Sequence, residues 1–258
     1  MKYIQLSNPI DRCVAITLNR PEKRNALNRE MVDELKAALQ ELSADKQCRI
    51  ILIKGNREAF CAGADLQYIQ DLQSFTREQN QEDSSNLAEL FKLIYTHPKM
   101  IVTQVEGPAL AGGCGLATVA DFCFATPESS FGYTESRIGF VPAIVMIFLI
   151  RKLGDQKARE LVLSGDIIDG TTAANMGLVQ RICTAEEIDD NVSSFIEKMI
   201  QRNSGESIRL IKEMMAKIPE LPLDAALNYA ADMNAEARES ADCKHGIASF
   251  LNKERPKW

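Results

Sequence analysis

Three short stretches hold the residue types that could do chemistry. The first is Phe131-Gly132-Tyr133-Thr134-Glu135-Ser136-Arg137-Ile138-Gly139-Phe140-Val141-Pro142, where Glu135 stands between two glycines and beside the most apolar run, Ile138 to Ile150. A carboxylate against apolar walls tends to a raised pKa, which suits proton transfer. The same residue could also be a surface glutamate paired with Arg137. The other two stretches are Phe60-Cys61-Ala62-Gly63-Ala64-Asp65-Leu66 and Glu106-Gly107-Pro108-Ala109-Leu110-Ala111-Gly112-Gly113-Cys114-Gly115-Leu116. Small residues let a backbone approach a ligand closely. A glycine-rich turn that opens a helix points free N–H groups at negative charge. Two such loops side by side could supply a pair of N–H donors, or each could simply make a tight turn.

Other chemistries find less material. His97 precedes Pro98 at a helix end and His245 sits in a helical C-terminal region, so neither has the setting of a triad base. Gly112-Gly113-Cys114-Gly115 lacks the dinucleotide spacing, and no G-K-[ST] phosphate loop is present. No cluster of metal ligands stands out, and no metal is expected.

The elements that must position these stretches follow from periodicity. Val14–Leu18, Arg49–Lys54, Met100–Val105 and Asp121–Thr126 read as strands, the second and third apolar enough for buried parallel strands. Helices are expected over Arg29–Ser43, with Asn28 as cap, and over Leu87–Thr96, ended before Pro98. The polar stretch Asp71–Asp83 reads as a mobile loop or an irregular helix. Both glycine-rich loops directly follow strands, and ligands gather where loops leave the carboxyl ends of strands in an open α/β sheet. Helices alone follow: Asp189–Arg202, Ser204–Lys217 and Leu223–Ser249, the last broken near Ala241. The expected organisation is an α/β core over residues 1–186 and a helical subdomain over 187–258.

Composition sets the bounds. The chain has 258 residues, enough for one sizeable core. Its net charge of −6 argues against a general nucleic-acid binder. Seven scattered cysteines with no C-x-x-C pair suggest a reducing compartment. The N-terminus has no signal-peptide form and Pro142 interrupts the short apolar run, so a cytoplasmic protein with no membrane partner is expected.

Together these segments resemble the crotonase (enoyl-CoA hydratase/isomerase) superfamily along nearly the whole chain. Leu18-Asn19-Arg20-Pro21-Glu22-Lys23-Arg24-Asn25-Ala26-Leu27 looks like its first coenzyme A-binding stretch. Cys61–Leu66 and Ala111–Cys114 look like its two oxyanion loops, and Phe131–Pro142 like its catalytic-glutamate segment. The resemblance implies stacked ββα turns with a C-terminal helical trimerisation region, assembled as a homotrimer or a dimer of trimers. It implies N–H donors from Ala64 and Gly112 for the thioester oxygen, and Glu135 as the proton-transferring residue. Ala26, Ala62 and Leu66 would line the nucleotide end, and Lys23 or Arg24 would meet the phosphates. Phe250 and Lys253 would reach the coenzyme A of a neighbouring subunit. Coenzyme A belongs to the substrate, so no separate cofactor is expected.

One departure shapes the expected activity. Enoyl-CoA hydratases usually carry two glutamates; the first falls here on Gly115, and the family's Pro-Gly-Gly-Gly run is replaced by Pro142-Ala143-Ile144-Val145-Met146. The expected reaction is addition of water to a 2-enoyl-CoA, with branched substrates such as 3-methylglutaconyl-CoA in range. The alternatives are a single-glutamate isomerase that moves a 3-enoyl double bond to the 2 position, or a non-catalytic acyl-CoA-binding protein. If the missing acid limits hydration, Gly115→Glu should raise the rate unless it clashes.

Overall fold

The computed structural model describes residues 1–56 and 58–258. Six strands form one sheet in the order β1 (Ile4–Ile10), β2 (Cys13–Leu18), β3 (Ile50–Lys54), β4 (Met100–Val105), β6 (Phe122–Ala125) and β9 (Arg181–Ile182). Among the described residues only the β1/β2 pair in this sheet is antiparallel. A second, small sheet joins β5 (Pro108–Leu110), β7 (Ser130–Gly132) and β8 (Ile168–Asp169). The chain thus climbs in turns: β4, then β5, then helix α4 (Gly112–Thr118); β6, then β7, then the Glu135 segment.

The side-chain period of two explains why β3 and β4 are mostly apolar, with Thr103 and Gln104 the buried polar residues of β4. Ile51, Ile53, Ile101 and Val105 face one core, together with helices α1 (Arg29–Ala44), α3 (Arg77–Tyr95), α4 and α5 (Ala143–Leu153). Ile50, Leu52, Met100 and Val102 face the other, closed by Val192, Phe195 and Ile196 of α8 (Ile188–Arg202). A strand covered on both faces has no polar side to show.

The Asp71–Asp83 stretch takes the helical alternative, as two helix segments joined by a short turn at residues 73–76. Helix α2 (Leu66–Leu72) runs into it and α3 begins at Arg77. Thr76 and Gln79 form a reciprocal capping box, the Thr76 hydroxyl accepting from Gln79 N at 3.2 Å and Gln79 Oε1 from Thr76 N at 2.9 Å. The first turns of α3 are held by polar contacts to other helices: Arg29 pairs with Glu82 at 3.0 Å, Asn86 donates to Asp33 at 2.7 Å, and the Tyr68 hydroxyl donates to Asp83. No apolar period is needed where the helix is docked by hydrogen bonds.

After α6 (Asp155–Ser164) and α7 (Gly170–Met176), the C-terminal part is helical: α8, α9 (Gly205–Lys217), α10 (Leu223–Glu239) and α11 (Ala241–Leu251). The expected break has a simple cause: Ser240 is extended, and its hydroxyl accepts from Cys243 N at 3.1 Å to start a new helix. Among the described residues no helix is long and apolar enough to cross a membrane.

Candidate active site

The two glycine-rich loops are built against each other. Cys61 N donates to the Pro108 carbonyl at 3.1 Å and Leu110 N to the Cys61 carbonyl at 3.0 Å, so the first loop adds a bridge to the edge of β5. Gly113 is needed for that approach, since a Cβ there would lie 2.8 Å from Cys61 Cβ and nearer still to the Cys61 carbonyl oxygen. On its other side the first loop bridges Leu27: Leu27 N donates to the Gly63 carbonyl at 2.7 Å and Asp65 N to the Leu27 carbonyl at 2.9 Å. This parallel bridge uses the neighbours of Ala64, so the N–H of Ala64 itself points away from Leu27. Among the described residues neither it nor the Gly112 N–H has an acceptor.

Gly112 opens α4, and its N–H direction is set by Ala111. That residue has φ 50° and ψ −126°, a conformation an L-residue enters only under constraint. Ala111 N is held by the Gly132 carbonyl at 2.7 Å, which ties the second loop to β7. Three residues on stands Glu135, at the start of a short 3₁₀ turn. It is 8% exposed, and its buried Oε2 has no hydrogen-bond partner. Burial pushes its pKa above the ordinary glutamate value. The surface ion pair is excluded, because exposed Arg137 turns to Asp166 at 3.3 Å. Tyr133, fully buried, shares a 3.2 Å hydrogen bond with Thr118 and pins the glutamate segment to the far end of α4.

The position of the missing acid is full. A Cβ on Gly115 would lie 2.7 Å from Val145 Cβ, 3.1 Å from Phe91 Cε1, and closer still to Val145 Cγ1. The two departures seen in the sequence, Gly115 and the Pro142–Met146 variant, are therefore one packing event: the α5 valine occupies the space beside the α4 glycine. Gly115→Glu alone meets this clash, so the expectation of a rate gain is withdrawn. The wall is apolar, continued by Phe148 stacked on Phe91 with centroids 5.9 Å apart.

The expected coenzyme A residues divide into two groups. Lys23, Arg24, Ala26, Ala62 and Leu66 are brought together: Ala62 N donates to the Arg24 carbonyl at 3.0 Å, and Lys23 Nζ stands 4.0 Å from Asp65. Arg24 takes a left-handed conformation, φ 48°. Ala26 is buried, while Lys23, Arg24 and Leu66 are exposed. Phe250 and Lys253 are elsewhere, on α11 and the turn after it, where α11 packs on α9 and α10. Phe250 is 81% exposed.

Sequence reasoning missed the residues that hold the first group. Buried Arg20 pairs with buried Asp65 at 2.6 Å and donates to the Ala26 carbonyl at 2.9 Å. Asn25, fully buried, accepts from Arg20 N at 2.8 Å and donates to the Ala59 carbonyl at 3.0 Å. Burial works to raise the Asp65 pKa, but the hydrogen bonds from Arg20 and Gln67 N and the charges of Arg20 and Lys23 outweigh it, leaving it lowered. His97 is structural: its Nδ1 accepts from Lys99 N at 3.1 Å, so Nε2 donates to the Leu39 carbonyl at 2.9 Å.

Two unsatisfied N–H groups on abutting loops and one buried carboxyl with an unpartnered oxygen can stabilise an enolate oxygen and move a proton. The family profile described as Enoyl-CoA hydratase/isomerase matches residues 11–258. The chain belongs to that family. It is thus an enzyme of the hydratase/isomerase type with the crotonase fold. A relative from Thermus thermophilus, provisionally named an enoyl-CoA hydratase, is 38% identical over 243 residues, 94% of this chain and 96% of its own. The crotonyl-CoA hydratase of Syntrophomonas wolfei is 28% identical over 95% of this chain and 94% of its own. Among solved structures, Pseudomonas aeruginosa AtuE superposes with a TM-score of 0.93 at 30% identity, covering 98% of both chains.

Proposed function

We propose that this family member adds water to a short 2-enoyl-CoA, with Glu135 as the sole proton carrier. The observation that carries the reading is the buried Glu135 carboxyl with a free oxygen, held to the second oxyanion loop through Gly132. The Glu135 carboxylate takes a proton from water as the oxygen bonds to C3. The electron pair moves through C2 onto the thioester oxygen, which the N–H groups of Ala64 and Gly112 receive. Glu135 then returns the proton to C2, so the sum is one water added. Ala26, Ala62 and Leu66 line the adenine end, and Lys23 and Arg24 meet the phosphates. The wall of Val145 and Phe91 favours an uncharged acyl chain, crotonyl over 3-methylglutaconyl. The relatives' names as hydratases support the direction of the reaction.

A second reading rests on the same wall. With Val145 where a second acid would help hold water, Glu135 could instead carry one proton between C4 and C2 of a 3-enoyl-CoA. Incubation with crotonyl-CoA, 3-methylglutaconyl-CoA and a 3-enoyl-CoA separates the two. Loss of the conjugated thioester absorbance from crotonyl-CoA supports hydration; activity on the 3-enoyl substrate alone would replace it with isomerisation.

The assembly is part of the proposal. Phe250, Leu251 and Ile247 are 81%, 73% and 56% exposed on α11, a surface suited to a neighbouring subunit. A homotrimer or dimer of trimers would bring Phe250 and Lys253 to the partner's coenzyme A site, and light scattering in solution reads the subunit number.

A further inference from the structure

The end of the sheet away from the oxyanion loops holds a cleft of about 650 Å³. Strands β3 and β4 begin there, at Ile50 and Met100, and the site loops leave their opposite ends. Five residues of strand, roughly 17 Å, lie between the two places. Arg12, Lys46, Arg49, Lys99, Arg209 and Lys257 line the cleft.

Three carboxylates reach the cleft: Glu206, Asp242 and the main-chain carboxylate of Trp258, the last residue of the sequence. Glu206 accepts from Arg209 at 2.7 Å, and Asp242 accepts from the Ser204 hydroxyl at 2.6 Å. Arg12 pairs with that Trp258 carboxylate at 2.6 Å, and Arg49 donates to the Asn203 carbonyl, also at 2.6 Å. Among the described residues no ion pair joins Lys46, Arg49, Lys99 or Lys257 to a carboxylate. Burial, and then the Arg12 charge, lower the pKa of Arg49, against the Asp242 charge, which raises it. The first turns of α9 and α11 line the same cleft and add the positive ends of two helix dipoles. The indole N–H of Trp258, another lining residue, is buried without an acceptor.

A chain with net charge −6 gathers cations in a concavity at an energetic cost. The missing partner is an anion with several charges. We propose that this cleft binds a small polyphosphate anion, a molecule with two or more linked phosphate groups, apart from the acyl-CoA site. The arginine forks and lysine ammonium groups suit phosphate oxygens, and the volume falls within the range of small-ligand sites.

The test is calorimetric titration of the full chain with inorganic pyrophosphate at low ionic strength. Two variants accompany it: Lys46→Glu/Lys99→Glu at the cleft, and Lys23→Glu at the acyl-CoA loops. The wild type should bind, the cleft variant should weaken binding about tenfold or more, and Lys23→Glu should leave it unchanged. The cleft variant should keep its Tm and its turnover of crotonyl-CoA. No binding by the wild type, equal affinity in the cleft variant, or loss in Lys23→Glu alone overturns the proposal. ATP binding more tightly than pyrophosphate would extend the ligand to a nucleotide; equal affinity would confine it to the phosphates.

Discussion

Gly115→Ala tests whether Val145 has taken the space of the missing acid. The new methyl would stand 2.7 Å from Val145 Cβ and 3.1 Å from Phe91 Cε1. Val145 is 4% exposed and Phe91 0%, so neither can yield into solvent. Overpacking of this kind costs about 1–3 kcal/mol. Val145→Ala deletes two methyl carbons, a loss of about 1.6 kcal/mol at ~0.8 each. If the sites were independent, the double variant would lose the sum. If the introduced methyl enters the room that Val145 Cγ1 vacates, the double variant should be at least ~1 kcal/mol more stable than that sum. Urea denaturation of the four proteins at one protomer concentration measures the coupling. Additivity within about 0.5 kcal/mol would refute the claim that Gly115 and Val145 form one packing event.

Two more outcomes follow from the charged groups. Glu135→Gln should lower turnover by about 10²–10⁴-fold while acyl-CoA binding persists. Because burial raises the Glu135 pKa, the wild-type fold loses stability as pH rises from the ordinary value of 4.5 through the raised one. Melting curves should therefore show Glu135→Gln gaining over wild type above that window, with no gain in acid; an equal difference at every pH would contradict the assignment. Arg20→Ala should cost about 3 kcal/mol, since Asp65, with a 9% exposed side chain, loses its partner. The lowered Asp65 pKa contributes stability above the ordinary carboxylate value that is lost as pH falls through the lowered one, and Arg20→Ala should flatten that acid limb in a Tm-against-pH series.

The sheet was legible where burial on both faces left mostly apolar residues, as in Ile50–Lys54 and Met100–Val105. The start of α3 was not, because hydrogen bonds to α1 and α2 dock it and apolar periodicity is blind to them. The short β5, β7 and β8 carry too few residues for a pattern and form only when the loops meet. In the site, the glycines and Glu135 stood out by type and spacing. The Arg20–Asp65 pair did not, since its members lie 45 positions apart. Gly115 was visible as an absence, but only the packing of α5 on α4 explains it.

The central claim is that Ala64, Gly112 and Glu135 together sustain a thioester enolate. Saturated butyryl-CoA in D₂O isolates that step, for it can lose and regain a C2 proton but cannot be hydrated or isomerised. Mass spectrometry should find deuterium entering C2 with the wild type and none above background with Glu135→Gln that still binds the thioester. Exchange by the wild type no faster than in buffer alone would contradict the account.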